Sequence, residues 1–325
     1  MAGKTDWEIP PELQPRSADC MFDLDRALSS VVGVQTAIPD DAFTAAILGT
    51  EREGSGVLIS ERGVVLTIGY VITEAETIWL RTADGGALPG TVLAYDQGTG
   101  FGLVQALGRP RVPALPLGRS AMLRRGDEAI IAAAGGRRHA LKVRVAAKQE
   151  FAGYWECLLD EAIFTAPAHP FWGGAALLGI DGALLGIGSL HVQQSTEGGG
   201  ARDVNMIVPI DLLPPILDEL MTYGRPNRPP RPWLGLYAAE ADDCILVAGL
   251  APGGPAQKAG VEVGDRIESV GGDAVTDLAS LWRMVWARGD AGVTVPLELS
   301  REGRTVAARI VSADRAAFLK APKLH

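Results

Sequence analysis

Gly54-Ser55-Gly56-Val57-Leu58-Ile59, followed by Gly63-Val64-Val65-Leu66-Thr67-Ile68-Gly69-Tyr70-Val71-Ile72, is the stretch from which the fold can be read. Two aliphatic, β-branched runs opened by glycine predict a strand, a turn and a second strand. The same pattern recurs outward from this pair. Candidate strands fall at 30–36, 55–60, 64–68, 76–82, 89–95, 101–106, 128–133, 141–148, 156–159, 175–179, 183–190 and 204–208, separated by Gly, Pro and Asp turns. Short strands at this spacing favour closed or sandwiched antiparallel sheet over a parallel α/β fold, and two six-stranded barrels use up all of them.

After the last candidate strand, residues 209–220 change to helical spacing and stop near Gly224. Arg225-Pro226-Asn227-Arg228-Pro229-Pro230-Arg231-Pro232 is stiff and Pro/Arg-rich, which suits an interdomain linker. Residues 233–313 then mix strands with two helices, a short one at 255–259 and a longer one capped by Thr276 or Asp277 that ends before Gly289. Runs 293–300 and 305–311 read as a closing hairpin. The expected organisation is an N-terminal arm 1–27, a barrel domain 28–224, a linker 225–232, a second domain 233–313 and a tail 314–325.

Composition narrows the function classes. Net charge is -9, and residues 1–224 hold 17 Lys/Arg against 27 Asp/Glu, so nucleic acid is a poor partner. Cys20, Cys157 and Cys244 lie far apart, with no C-x-x-C or His-rich grouping. Neither a disulfide framework nor a metal site is expected, and no cofactor is implied. The first 20 residues show no basic start followed by an apolar run, and nowhere does the chain approach about 18 uninterrupted apolar residues. No membrane span is expected, and the chain reads as cytoplasmic, with export by a non-standard route left open.

These segments resemble the HtrA (Deg) family of serine proteases. Leu115-Pro116-Leu117-Gly118-Arg119-Ser120 with Leu123-Arg124-Arg125-Gly126-Asp127 is similar to the family's L-P-L-G-D-S and L-R-x-G-D. Asp181-Gly182-Ala183-Leu184-Leu185-Gly186-Ile187 is similar to its D-G-x-V-I-G-I. Arg231-Pro232-Trp233-Leu234-Gly235-Leu236 resembles the R-G-W-L-G-V that opens the family's PDZ domains, and 253–267 resembles the segment that follows. The resemblance implies a mainly β chain: a trypsin-like double six-stranded β-barrel followed by a PDZ domain, a β-sandwich with two helices.

Acyl transfer by this class needs a hydroxyl nucleophile, an imidazole base, an orienting carboxylate and backbone donors for the oxyanion. The resemblance aligns the family's T-N-N-H-V-V with Thr67-Ile68-Gly69-Tyr70-Val71-Ile72, its T-D-L-A-L with Thr99-Gly100-Phe101-Gly102-Leu103, and its G-N-S-G-G with Pro170-Phe171-Trp172-Gly173-Gly174. Tyr70, Gly100 and Trp172 thus stand at the triad positions, and Pro170, which has no N–H, stands at an oxyanion position. A vestigial site with no catalytic residues is the expectation, and with it a chain that is not an enzyme. Asp96 is expected to open a turn, and His169 is the one histidine near the cleft, with a structural role as its plain alternative. Ser55, Ser60, Ser189 and Ser195 lie in no nucleophile turn.

In the PDZ-like segment, Trp233, Leu234, Gly235 and Leu236 are expected to capture a peptide carboxylate through backbone N–H groups, with a ligand strand added alongside. Leu278, Leu281 and Val285 share one helix face and form either the opposite wall or the domain core. The function expected is a peptide-binding scaffold or adaptor for protein C-termini or unfolded, extended hydrophobic segments. The alternative is an active serine-type endopeptidase of protein quality control using a relocated site. The resemblance also implies a homotrimer with N-terminal aromatic residues, here Trp7 or Phe22, at the contact.

Overall fold

A computed structural model describes residues 7–195, 199–241 and 243–320. The chain divides into two compact units. One comprises the residues up to Gln149 with Glu161–Pro226, the other Glu150–Asp160 with Asn227–Lys320.

The first unit is the double barrel that the strand count predicts. Strands β1 (Val31–Ala37), β2 (Glu51–Ser60), β3 (Val64–Ile68), β4 (Thr77–Arg81), β5 (Ala87–Tyr95) and β6 (Phe101–Ala106) close in the order β1-β2-β3-β6-β5-β4. Strands β7 (Glu128–Ala132), β8 (Ala140–Gly153), β9 (Cys157–Ala166), β10 (Ala176–Leu178), β11 (Leu184–Ser195) and β12 (Ala201–Pro209) close in the order β10-β11-β12-β9-β8-β7. Closure removes the exposed strand edges that an open sheet would present.

Alternation along each strand sets which side chains fill the barrels. In β4, Ile78 and Leu80 are buried while Thr77, Trp79 and Arg81 face out. Leu141, Val143 and Val145 of β8 join Ile131, Ile163, Leu177 and Ile207 in the second barrel's core. Each such aliphatic side chain contributes about 1.5–3 kcal/mol through burial. The β8–β9 pair is longer than the apolar pattern predicts. Burial alternation ends after Val145, yet β8 continues to Gly153. Backbone pairing does not need apolar side chains, so polar Lys148, Gln149 and Glu150 do not stop the strand.

Short helices turn the chain between strands: α1 (Leu24–Ser29), α2 (Ala45–Leu48) and α3 (Gly69–Ile72) in the first barrel, then α4 (Pro214–Tyr223) after β12. Gly224, at φ +72°, ends α4 and returns its N–H to the Leu220 carbonyl at 3.0 Å.

The second unit holds β13 (Leu236–Ala241), β14 (Cys244–Leu250), β15 (Arg266–Val270), β16 (Asp273–Ala274), β17 (Thr294–Arg301) and β18 (Arg304–Val311) in the order β13-β14-β15-β17-β18, with β16 paired to β15. Helix α5 (Pro255–Lys258) and helix α6 (Leu278–Trp286) complete it. Asp277 caps α6: its carboxylate accepts the Ser280 N–H at 2.6 Å, and Ser280 Oγ accepts the Asp277 N–H at 3.0 Å. This fixes the turn at which α6 starts and directs Leu278, Leu281, Trp282 and Val285 into a core with Leu236, Ile245, Val247, Ile267 and Leu299. Strand β13 lies at one end of the sheet order, so its outer edge is the edge open to a further strand.

Candidate functional site

Two places gather the residues that the sequence singles out, one in each unit. In the first, β3 runs directly into α3 and holds Tyr70 on that helix's first turn. The half-buried Tyr70 donates its hydroxyl to the Ser189 carbonyl at 2.9 Å, and the Trp172 side chain lies near the same hydroxyl. Burial pushes the phenol above its usual value of 10, so at neutral pH it is a donor and not a base. Trp172 stacks on His191, with ring centroids 5.4 Å apart and planes 26° from parallel. Gly100, at φ +80°, gives its carbonyl to the Gly69 N–H at 2.7 Å. Tyr70, Gly100 and Trp172 are therefore brought together, Trp172 near the Tyr70 hydroxyl and Gly100 on the residue before it.

The backbone around Trp172 is tightly held. Ser55 N–H donates to the Gly173 carbonyl at 2.7 Å and Ala175 N–H to the Trp172 carbonyl at 3.0 Å. A Cβ on Gly174 would lie 1.9 Å from the Ser55 carbonyl oxygen, a space only glycine fits. Pro170 is exposed two residues earlier. Asp96 is buried in its own turn, where its carboxylate accepts from Thr99 N–H at 2.8 Å and Thr99 Oγ1 at 2.7 Å. Ser55 Oγ accepts from Ala134 N–H at 3.0 Å, and Ser60 Oγ from Arg62 N–H at 3.2 Å. Ser189 is buried, and the Ser195 side chain lies outside the described residues.

The histidines differ sharply. His169 is fully buried, and its Nδ1 accepts the Phe171 N–H at 3.0 Å, which puts the ring proton on Nε2, facing the His139 carbonyl at 3.1 Å. Burial lowers its pKa to about 4, so it is a neutral strut with both nitrogens committed. His139 places Nδ1 2.6 Å from the Ala134 carbonyl and Nε2 3.0 Å from that of Trp7. His191 alone among the described histidines has a carboxylate partner, with Nε2 3.6 Å from Asp203 Oδ1. His325 lies outside the described residues. Trp7 packs edge-on to Phe171 at 5.2 Å, and Phe22 covers Gly182, so both arm aromatics rest on their own chain. Among the described residues no group of three or more His, Cys, Asp or Glu could hold a metal ion, and no helix is long and apolar enough to cross a membrane.

In the second unit, Gly235 at φ +72° turns three successive N–H groups to one side. They converge on the carboxylate of Glu156. Oε1 accepts from Leu234 at 3.1 Å, Gly235 at 2.8 Å and Leu236 at 3.4 Å, and Oε2 accepts from Leu234 at 3.1 Å. Leu234 and Leu236 act here through backbone, because their side chains are core, as are those of Leu278, Leu281 and Val285. Trp233 exchanges backbone bonds with Ala313, both at 3.0 Å, and packs its ring 4.8 Å from that of Phe318. Trp282 is fully buried and donates Nε1–H to the Gly153 carbonyl at 2.9 Å. Sequence reading found the loop but missed Glu156, whose partners are 78 to 80 residues away.

Residues 54–187 match the trypsin-like peptidase domain family and residues 232–311 match the PDZ domain family. A trypsin-like peptidase domain followed by a PDZ domain is thus the class that fold and site define. A curated relative from Pseudomonas fluorescens, named a probable periplasmic serine endoprotease DegP-like, is 30% identical over 77% of this chain and 54% of its own length. One of the same name from Pseudomonas fulva is 27% identical over 83% of this chain and 58% of its own. The chain spans little more than half the length of these relatives. The solved HtrA-type protease AlgW with tripeptide has a TM-score of 0.52 and 22% identity, covering 95% of this chain and 99% of that one. A serine endoprotease from Yersinia pestis gives 0.50 and 23%, over 90% and 98%. The chain is an HtrA-like protein.

Two expectations are corrected by these likenesses. The reading of the chain as no enzyme, a pseudoprotease, is overturned by a family of peptidases and by relatives named serine endoproteases. It rested on Tyr70, Gly100, Trp172 and Pro170 at the aligned positions and on the remaining histidines and serines; His191, stacked on Trp172, lies 3.6 Å from Asp203. The reading of the chain as cytoplasmic is overturned by relatives named periplasmic. The lack of an apolar leader-like run does not fix where a chain acts.

Burial pushes the Glu156 carboxyl up to about 7 from 4.5, against the pull of the Leu234, Gly235 and Leu236 N–H groups and of Arg315. A carboxyl raised in this way is held most firmly below its ordinary pKa and loses its hold as pH rises through about 7. Amide exchange at Leu234–Leu236, corrected for its intrinsic pH dependence, is expected to rise more than about tenfold between about pH 5.5 and 8.5. A flat or falling corrected rate contradicts this.

Proposed function

We propose that this HtrA-like chain acts on polypeptides in the periplasm, the location its relatives are named for, and recognises them at its PDZ domain. The ligand is the C-terminal carboxylate of an extended peptide with an apolar end. The observation that carries this reading is the convergence of the Leu234, Gly235 and Leu236 N–H groups on one carboxylate, beside the end strand β13. Such a nest binds a carboxylate without any side-chain charge, and a strand edge next to it pairs with the main chain that follows. Affinity then comes from the main chain, and selectivity comes from the terminal residues.

The test is binding of fluorescein-labelled hexapeptides ending in Val, Leu, Phe or Trp, each as free acid and as amide. The free acids are expected to bind at least about tenfold more tightly than the amides, since the amide cannot replace the anion in the nest. A Gly235→Trp variant, in which the side chain must be accommodated at φ +72°, is expected to lose the difference. Equal binding of acids and amides would remove the carboxylate nest as the recognition element.

For the peptidase domain the reading is the serine-endopeptidase class of its relatives. Hydrolysis needs a proton acceptor, and with His169 and His139 bonded to backbone, His191 against Asp203 is the imidazole that the cleft offers. Unfolded casein is expected to be cut, and a His191→Ala variant to cut it about 10²-fold more slowly. Casein that stays intact through a long incubation with the unaltered chain would overturn this assignment and leave peptide binding as the activity.

A further inference from the structure

The carboxylate nest is not open in this chain. Glu156 fills it from the turn between β8 and β9, and the residues before Glu156 follow the course of a bound peptide. Leu236 N–H reaches the Glu156 carboxylate, and two residues on, Ala238 N–H donates to the carbonyl of Tyr154, two residues before Glu156, at 3.0 Å. Stepping forward by two on one strand and back by two on the other is the register of antiparallel pairing. Tyr154 therefore stands where the first added strand residue of a ligand would stand, on the outer edge of β13. The Tyr154 ring packs edge-on to Tyr237 of β13, with centroids 6.0 Å apart.

Further bonds hold this segment in place. Gly153 accepts from Trp282 Nε1 of α6, and Arg283, one residue on, pairs with Glu150 and with Asp160 at 2.9 Å. The segment is thus tied to both sides of the groove, to β13 by its main chain and to α6 by Gly153 and its flanking acids. Glu156 itself is 5% exposed and sits at φ +60°, in the left-handed region that a glutamate seldom adopts. The nest pulls the residue into this conformation and keeps its carboxyl out of water. A contact that carries burial and backbone strain is one that a better-matched carboxylate displaces.

We propose that the Tyr154–Glu156 turn is a built-in occupant of the peptide groove, with the Glu156 carboxylate standing in for a ligand's C-terminal carboxylate. An incoming peptide binds only by expelling it. This rests on the reading of the Leu234–Leu236 loop as a carboxylate nest. No bond is made or broken in the exchange; one carboxylate replaces another on the same three donors.

The experiment compares the full chain with Glu156→Gln and Glu156→Ala variants, using the same free-acid and amide hexapeptides, with thermal melts to show that each variant folds. If the turn occupies the groove about 90–99% of the time, freeing it raises free-acid affinity by about 10- to 100-fold. A Trp282→Phe variant, which removes the bond to Gly153 and leaves Glu156 intact, is expected to raise it in the same direction by a smaller factor. Free acids that bind the unaltered chain and both Glu156 variants equally, while amides bind none of them, would overturn the plug and leave the nest standing. Acids and amides that bind every form alike would overturn the nest itself, and the plug with it.

Discussion

Three main-chain N–H groups that point one way call for an acceptor that can meet them together. That requirement at Leu234, Gly235 and Leu236 organises the second unit of this chain. A buried, unpaired N–H costs as much as a lost hydrogen bond, and three in succession would cost several kcal/mol. A single carboxyl group answers all three at once. Glu156 does so here, and the segment on either side of it, Glu150–Asp160, is carried into the second compact unit as a consequence.

The extensions of β8 and β9 carry the turn between them to this loop. A barrel strand needs only about five residues to close its ring, as β3, β4 and β7 show, whereas β8 has 14 and β9 has 10. The additional residues bring Gly153, Tyr154 and Glu156 to α6, β13 and the loop before it. In the first unit the ties of Tyr70 and Trp172 serve a comparable end. The Tyr70 hydroxyl joins α3 to Ser189, and the Trp172 indole stacks on His191, whose Nε2 lies 3.6 Å from Asp203 Oδ1.

Much of this architecture could be read from residue order. Period-two burial in strands such as β4, with Ile78 and Leu80 inward, is written directly in the sequence, and so are the glycines that punctuate the strands. Asp277 as a helix cap and Asp96 as a turn opener were legible because both act on neighbours within three residues. The Leu234-Gly235-Leu236 loop was legible as a motif. Its occupant was not, because Glu156 is a lone acid at a hairpin tip with nothing local to mark its role, and its donors are nearly 80 residues away. Strand β8 was cut short at residue 148 for a related reason: its polar end pairs through backbone, which leaves no hydrophobic alternation to read. The inference from aligned side chains to absent chemistry failed differently: it weighed single positions, while the match to a peptidase domain and to relatives named serine endoproteases spans the whole barrel domain.

The most direct measurement is a crystal structure of the intact chain grown with a free-acid hexapeptide. Displacement predicts the peptide's terminal carboxylate on the N–H groups of Leu234, Gly235 and Leu236, its main chain along β13, and Glu156 withdrawn from the loop. A peptide bound elsewhere with Glu156 still seated on those three donors would contradict it.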